Sequence, residues 1–270
     1  MEDLKINEKL TKQILVNFIQ NEIRKIGFKK VILGLSGGID SSCVAFLSQE
    51  ALGAKNVWAI IMPYRTSSPE SLRDAEAVVK KLGINKKVID ITEQIDTYFK
   101  NFKDISQIRR GNKMARERMS ILYDLSVQYN ALVIGTSNKT ELLLGYGTIY
   151  GDMACAINPI GDLYKTQVRQ LAKYLGIPSR IIKKPPTADL WVGQEDEKEL
   201  GFTYEEADRF LYLMVDKRLS NEELVKLGYK KDFIENVYKR IQRAQYKRRP
   251  PLIAKLSERT IEQDFRYPRD

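Results

Sequence analysis

Hydrophobic and polar positions follow two regimes along the chain. Up to about residue 136, short continuous apolar runs alternate with stretches whose apolar residues recur every three or four positions. Residues 4–26 carry Leu10, Ile14, Phe18, Ile19, Ile23 and Ile26 at helical spacing, which predicts an amphipathic helix. Residues 31–35 predict a short buried strand, 40–52 a helix stopped near Gly53, and 57–62 a second strand closed by Pro63. Residues 69–82 predict a helix ended by Gly83, 87–91 a third strand, about 112–129 a long helix and 131–136 a fourth strand. Apolar runs without alternation, separated by helices, imply a parallel sheet covered on both faces. Right-handed crossovers make such a sheet doubly wound. Ligands then bind outside the carboxyl ends of the strands.

Beyond about residue 160 the pattern turns helical, over 165–175, 204–215, 221–227 and 231–243. Between these helices, residues 183–201 read as a loop, with Pro185-Pro186 at the start and a charged run at 194–199. A loop of this length is a functional or mobile segment. Its charged run offers little apolar surface to bury, so it is expected to act as a lid over bound substrate. No repeat or low-complexity linker interrupts the chain. Residues 1–270 therefore read as a single α/β domain with a helical C-terminal part.

The first strand runs into Gly34-Leu35-Ser36-Gly37-Gly38-Ile39-Asp40-Ser41-Ser42, and a helix begins at once. Adjacent glycines let backbone N–H groups approach an anion with no Cβ in the way. The helix N-terminus adds free donors and partial positive charge. Ser36, Ser41 and Ser42 can donate to phosphate oxygens. Asp40 beside a phosphate is explained by a bridging Mg²⁺, which takes a carboxylate together with phosphate oxygens. The competing reading is a plain glycine turn with Asp40 as a helix cap. The string is neither a Walker-type loop nor Gly-x-Gly-x-x-Gly.

Composition narrows the chemistry. With 43% hydrophobic and 30% charged residues, the chain is ordinary for a soluble globular protein. No apolar run approaches the roughly 20 residues of a membrane span. The start, Met1-Glu2-Asp3-Leu4, does not look like a signal peptide. Two distant cysteines, Cys43 and Cys155, give neither a disulfide framework nor a zinc site, and a cytoplasmic location fits. There is no histidine, so imidazole catalysis is excluded. A net charge of +10 fits an anionic partner, either nucleic acid or a phosphorylated small molecule, or else a solvated basic surface.

Ser36-Gly37-Gly38-Ile39-Asp40-Ser41 resembles the pyrophosphate loop of the N-type ATP pyrophosphatases. Three further stretches resemble segments of the ammonia-dependent NAD synthetases. They are Gly111-Asn112 through Met119, Gly135 through Glu141 with Gly145 through Asp152, and Lys165 with Pro185-Pro186-Thr187-Ala188-Asp189-Leu190. The match runs from about residue 10 to 250. The resemblance implies ATP-dependent amidation of nicotinate adenine dinucleotide (deamido-NAD) by ammonia, through an adenylated intermediate. It implies that Gly34, Leu35, Ser36, Gly37, Gly38, Ile39, Asp40 and Ser41 hold ATP, with Thr136, Lys165 and Thr187. Asp40 and Glu141 would be Mg²⁺ ligands, and Arg116, Tyr246 and Lys247 would bind deamido-NAD. Lys165 and Asp152 would be catalytic, Asp152 facing the incoming ammonia. A homodimer is implied as well, with no nucleic acid or membrane partner.

The chain departs from the family's bacterial form at three positions. Ile149 replaces a common lysine, Ala156 a second aspartate, and Tyr246 a histidine. A subtype with a differently contacted dinucleotide is implied. No segment before the first strand is long enough for a glutaminase, so free ammonia, or ammonia from another chain, is the expected donor. Two other readings are a tRNA-thiolating enzyme of the same superfamily and a nucleotide-binding regulator. Lys239, Arg240, Arg243, Lys247, Arg248 and Arg249 would favour the first. The lack of paired reactive cysteines speaks against it, and retention of both metal-type carboxylates and Lys165 against the second.

Overall fold

A computed structural model describes residues 4–187, 189–191, 193–261 and 264. Its sheet contains β1 (Lys30–Gly34), β2 (Val57–Ile61), β3 (Asn85–Val88) and β4 (Ala131–Val133). All pairs are parallel, in the order β3-β2-β1-β4. α1 (Glu8–Lys25) precedes the sheet, and α2 (Ile39–Leu52), α3 (Pro69–Leu82), α4 (Thr92–Phe99) and α5 (Gln107–Tyr129) run between its strands. The rest is helical: α6 (Lys139–Leu144), α7 (Lys165–Tyr174), α8 (Ser179–Lys183), α9 (Asp196–Leu200), α10 (Tyr204–Leu211), α11 (Asn221–Lys226) and α12 (Lys231–Arg243).

The doubly wound sheet expected from the sequence is present. The successive crossovers β1 to β2 to β3 travel one way, and β4 lies on the other side of β1. The strand order therefore reverses between β1 and β4, where the loops after the two strands diverge and leave a crevice. One face of the sheet packs against α1, α2 and α7 through Ile19, Ile23, Val44, Leu47, Val168 and Leu171. The other packs against α4 and α5 through Ile32, Ile60, Ile95, Phe99, Met114 and Leu125. A third apolar cluster joins the C-terminal helices around Tyr204, Phe210, Leu224 and Val237.

Several elements differ from the sequence expectation: α4 and α8 are not predicted, α5 begins at Gln107, and β4 ends at Val133. β3 begins at Asn85, because its register is set by pairing with Trp58 through Ile61. It is an edge strand whose Lys86 side is open to water, and lysine there discourages pairing with another chain. Ile89 and Ile91, predicted inside the strand, still donate their N–H groups to Ile61 and Pro63, each at 2.9 Å. In α1 the buried face is Val16, Ile19 and Ile23, while Leu10 and Ile14 are 52% and 55% exposed. The charged run 194–199 is not free of the body. Gln194 and Asp196 are buried, and α9 starts within the run.

Candidate active site

A cleft of about 660 Å³ opens at the switch point between β1 and β4. Its floor is the glycine loop. Gly37 has φ +79°, and a Cβ there would come within 2.2 Å of the Ser71 carbonyl oxygen on α3, so only glycine fits. No side chain caps α2, so its first-turn N–H groups stay available to an anion. The serines shape the loop from inside. Ser36 and Ser41 hydroxyls lie 3.1 Å apart, and Ser42 donates to the Gly38 carbonyl at 2.7 Å.

Three charged side chains meet above this loop. Lys165, at the start of α7, is 3% exposed. Its ammonium donates to Asp40 Oδ2 at 2.5 Å and to Glu141 Oε1 at 3.2 Å. Asn138 completes the group by donating from its amide to Asp40 Oδ1 at 3.0 Å. Burial pushes the Lys165 ammonium down, but Asp40 and Glu141 outweigh it and hold the group above the usual lysine range. Burial raises Glu141 to about 7, against the pull of Lys165 and with a further push from Asp40. Glu141 is fixed by a capping box at the start of α6. Its Oε2 accepts from the Asn138 N–H at 3.3 Å, and Asn138 Oδ1 accepts from the Glu141 N–H at 3.0 Å.

A second group forms the opposite wall. Asp152 Oδ1 accepts from the Thr148 N–H at 2.9 Å, and Thr148 donates its hydroxyl to Asn112 on α5 at 2.6 Å. Solvent reaches Asp152 across the open cleft while protein surrounds it elsewhere, and this crowding raises its carboxyl. Lys247 reaches in from the C-terminal segment and donates to the Gly145 and Gly147 carbonyls, both at 2.8 Å.

The cleft thus brings together Gly34, Leu35, Ser36, Gly38, Asp40, Ser41, Thr136, Glu141, Asp152, Lys165, Thr187 and Lys247. Gly37 and Ile39 support the loop from beneath, Ile39 with its side chain in the core. Arg116 and Tyr246 do not line this cleft. Arg116 lies on the exposed side of α5 and donates to the Ile149 carbonyl at 3.2 Å. Tyr246 lines a neighbouring cavity of about 820 Å³ among the C-terminal helices, which shares Gly145 and Lys247 with the cleft.

The site also contains residues to which the sequence assigned no role. Arg118 lines it and donates to the Met62 carbonyl at 3.0 Å. Helical phase could have found it, since Ala115, Arg118 and Leu122 share one face of α5. Asn138 was detectable as the first residue of the Asn-x-x-Glu capping signal. Gln194, Asp196 and Glu199 close one side. Asp196 and Glu199 accept from the Tyr146 hydroxyl at 3.0 and 2.9 Å, and Asp196 also accepts from Tyr204 at 3.2 Å.

Comparison with known proteins extends over the whole chain. The family model described as NAD synthase matches residues 11–251. An NH(3)-dependent NAD(+) synthetase from Trichlorobacter lovleyi is 58% identical over 270 residues, covering 100% of this chain and 99% of that protein. One from Fusobacterium nucleatum is 54% identical over 256 residues, 95% of this chain and 99% of its own length. Among solved structures, the NH3-dependent NAD synthetase of Campylobacter jejuni, in complex with the nitrate ion, has a TM-score of 0.79 at 38% identity. That alignment covers 93% of this chain and 100% of the other. An NMN synthetase from Francisella tularensis has a TM-score of 0.82 at 33% identity, covering 93% and 99%.

Proposed function

This chain belongs to the NAD synthase family, and on that premise we propose that the cleft activates the nicotinate carboxylate of deamido-NAD with ATP and passes it to ammonia. The observation that carries this reading is the convergence of Lys165 on Asp40 and Glu141 above an uncapped helix N-terminus. That arrangement suits a triphosphate whose charge must be neutralised as pyrophosphate departs.

Two carboxylates served by a single ammonium, both lining the cleft, fit Mg²⁺. This ion is usually held by one or two carboxylates plus substrate phosphates. Asp40 and Glu141 would hold it, and when bound it neutralises phosphate charge and orients the leaving group. The remaining work falls to the chain. Gly34 through Ser41, with Thr136 and Thr187, position ATP so that a nicotinate carboxylate oxygen attacks the α-phosphorus in line and pyrophosphate leaves. Lys165 sits where it can follow the charge onto the leaving pyrophosphate. Ammonia then attacks the acyl carbon, the bond to AMP breaks, and the nitrogen loses a proton. Asp152, with its raised carboxyl, is the group suited to orient that nitrogen and accept the proton. Lys247, Arg118, Arg116 and Tyr246 are the candidates for holding the dinucleotide.

The whole chain acts as one unit in this reading, because the C-terminal segment supplies Lys247. A cytoplasmic homodimer completes it, with Val127 on α5, 83% exposed, offering apolar surface for a second copy. Sulfur transfer to tRNA is disfavoured by the cysteines. Cys43 is fully buried and Cys155 partly so, and burial pushes both thiols up, away from the thiolate such chemistry needs.

The test is an assay of purified protein with ATP, MgCl₂ and ammonium, offering deamido-NAD or nicotinate mononucleotide as acceptor. NAD and AMP are expected in equal amounts from deamido-NAD, with the mononucleotide the poorer acceptor. Glutamine freed of contaminating ammonia should give no turnover, since neither cysteine is placed as a glutaminase nucleophile. Preference for the mononucleotide would move the assignment towards NMN synthesis, and pyrophosphate release without a nicotinate acceptor would refute amidation.

The segment around α9 is proposed to close further over the acyl-adenylate and keep water from it. Hydrogen exchange at Asp196–Leu200 is expected to slow when ATP and deamido-NAD are both bound. Equal exchange in the two states would make this segment a fixed wall.

A further inference from the structure

We propose that Asp208, on α10 outside the cleft, is a positioning residue that holds Glu141 and Lys165 in the arrangement adenylation requires. The proposal rests on the reading of those two residues given above.

Asp208 is fully buried, and among the described residues no cation forms an ion pair with it. Both carboxylate oxygens are used by neutral donors. Oδ1 accepts from the Thr140 hydroxyl at 2.5 Å, and Oδ2 accepts from the Thr166 N–H at 2.7 Å. Thr140 Oγ1 in turn accepts from the Lys165 N–H at 3.0 Å. Thr140 directly precedes Glu141 in α6, while Lys165 and Thr166 are the first two residues of α7. One carboxylate therefore ties together the first turns of the two helices that present the two groups.

Neither helix could set this relation alone. α6 has only 6 residues, too short to hold an orientation without tertiary ties. The first N–H groups of α7 have no intrahelical acceptor, and α10 supplies one from another part of the chain. The same face of α10 acts a second time. Tyr204 lies one helical turn before Asp208, and the Lys165 ammonium stands 5.1 Å from the centre of its ring. α10 thus contacts Lys165 at its backbone through the Thr140 bridge and at its head through Tyr204. A purely structural tie would not need a carboxylate, since burying one against neutral donors alone is costly. What the carboxylate adds is two strong acceptors on a rigid plane, which fix the separation of two helix starts.

The test compares Thr140→Val, Asp208→Ala and Asp208→Asn with Lys165→Met, alone and combined. The readouts are single-turnover pyrophosphate release, KM for deamido-NAD, and thermal unfolding. Asp208→Ala and Thr140→Val should each lower kcat about 10–100-fold, with KM for deamido-NAD changed by less than about twofold. Asp208→Asn keeps an acceptor for the Thr166 N–H and should recover part of the rate. In the Lys165→Met background, Asp208→Ala should cost under about threefold more, because the two act through one ammonium. A folded Thr140→Val enzyme with unchanged kcat would overturn the proposal, as would full multiplication of the two losses. Should Asp208→Ala fail to fold, Thr140→Val and Asp208→Asn decide. Wild-type turnover by Lys165→Met alone would instead overturn the underlying reading of the cleft.

Discussion

Replacing Asp40 with asparagine is expected to slow pyrophosphate release by about 10²–10³, the usual cost of losing a major electrostatic contact to the transition state. The substitution keeps shape and removes charge. The asparagine oxygen can still accept from the Asn138 amide, as Asp40 Oδ1 does now at 3.0 Å. Its NH₂ group would then face the Lys165 ammonium, where two donors meet and no bond forms. Lys165 is left with Glu141 alone, and the pair of carboxylates suited to a divalent cation is reduced to one. Binding of deamido-NAD, which relies on other residues, should change little. Single-turnover release with saturating ATP, alongside equilibrium dialysis of deamido-NAD, separates the two effects. Near wild-type turnover would remove Asp40 from the chemistry.

Lys165→Met should be at least as damaging, by about 10³ or more in kcat, because it removes the cation that neutralises two carboxylates and the departing pyrophosphate together. The variant should also carry a signature in its pH dependence. Glu141 already sits at about 7, raised by burial and by Asp40 and lowered by Lys165. Deleting the lysine removes the lowering influence, so Glu141 keeps its proton to still higher pH. Whatever activity remains should therefore recover only at more alkaline pH than in the parent enzyme. A rate profile from pH 6 to 10 would record this (the range brackets the raised carboxyl on both sides). A profile unchanged in position would mean that Lys165 and Glu141 do not share a field.

Much of this site was legible in the sequence because its signals are local. The glycine loop, the strand before it and the helix after it lie within about twenty residues, and each has its own physical mark. What escaped depends on partners distant along the chain. Gln194 through Glu199 reads as a solvated run until Tyr146, 50 residues earlier, supplies a hydroxyl to Asp196, and nothing local to the run announces it. β3 slid two residues because an edge strand takes its register from its neighbour and not from its own apolar content. Arg116 and Arg118 look equivalent as charges. The phase of α5 puts one outside and the other in the cleft. Tyr246 and Lys247 are adjacent, yet the tight turn over Gln245–Arg248 sends Lys247 into the cleft and Tyr246 elsewhere.

Lys247 owes its reach to a contact of a different kind. α6 ends at Gly145, whose φ is +67°, and a Cβ there would lie 2.1 Å from the Cβ of Ala244 at the end of α12. The two chains of backbone meet with almost no side chain between them. The C-terminal helices are thus seated against the cleft by the smallness of two residues together with Lys247 and Arg248, whose side chains donate to carbonyls of α6 and the turn after it. Enlarging either residue would act as a spacer, tilting α12 outward and drawing the Lys247 ammonium away from the carbonyls that hold it. Dinucleotide affinity could then be lost through a position that touches no ligand. Positions 145 and 244 are accordingly constrained as a pair, each limiting the volume the other can acquire.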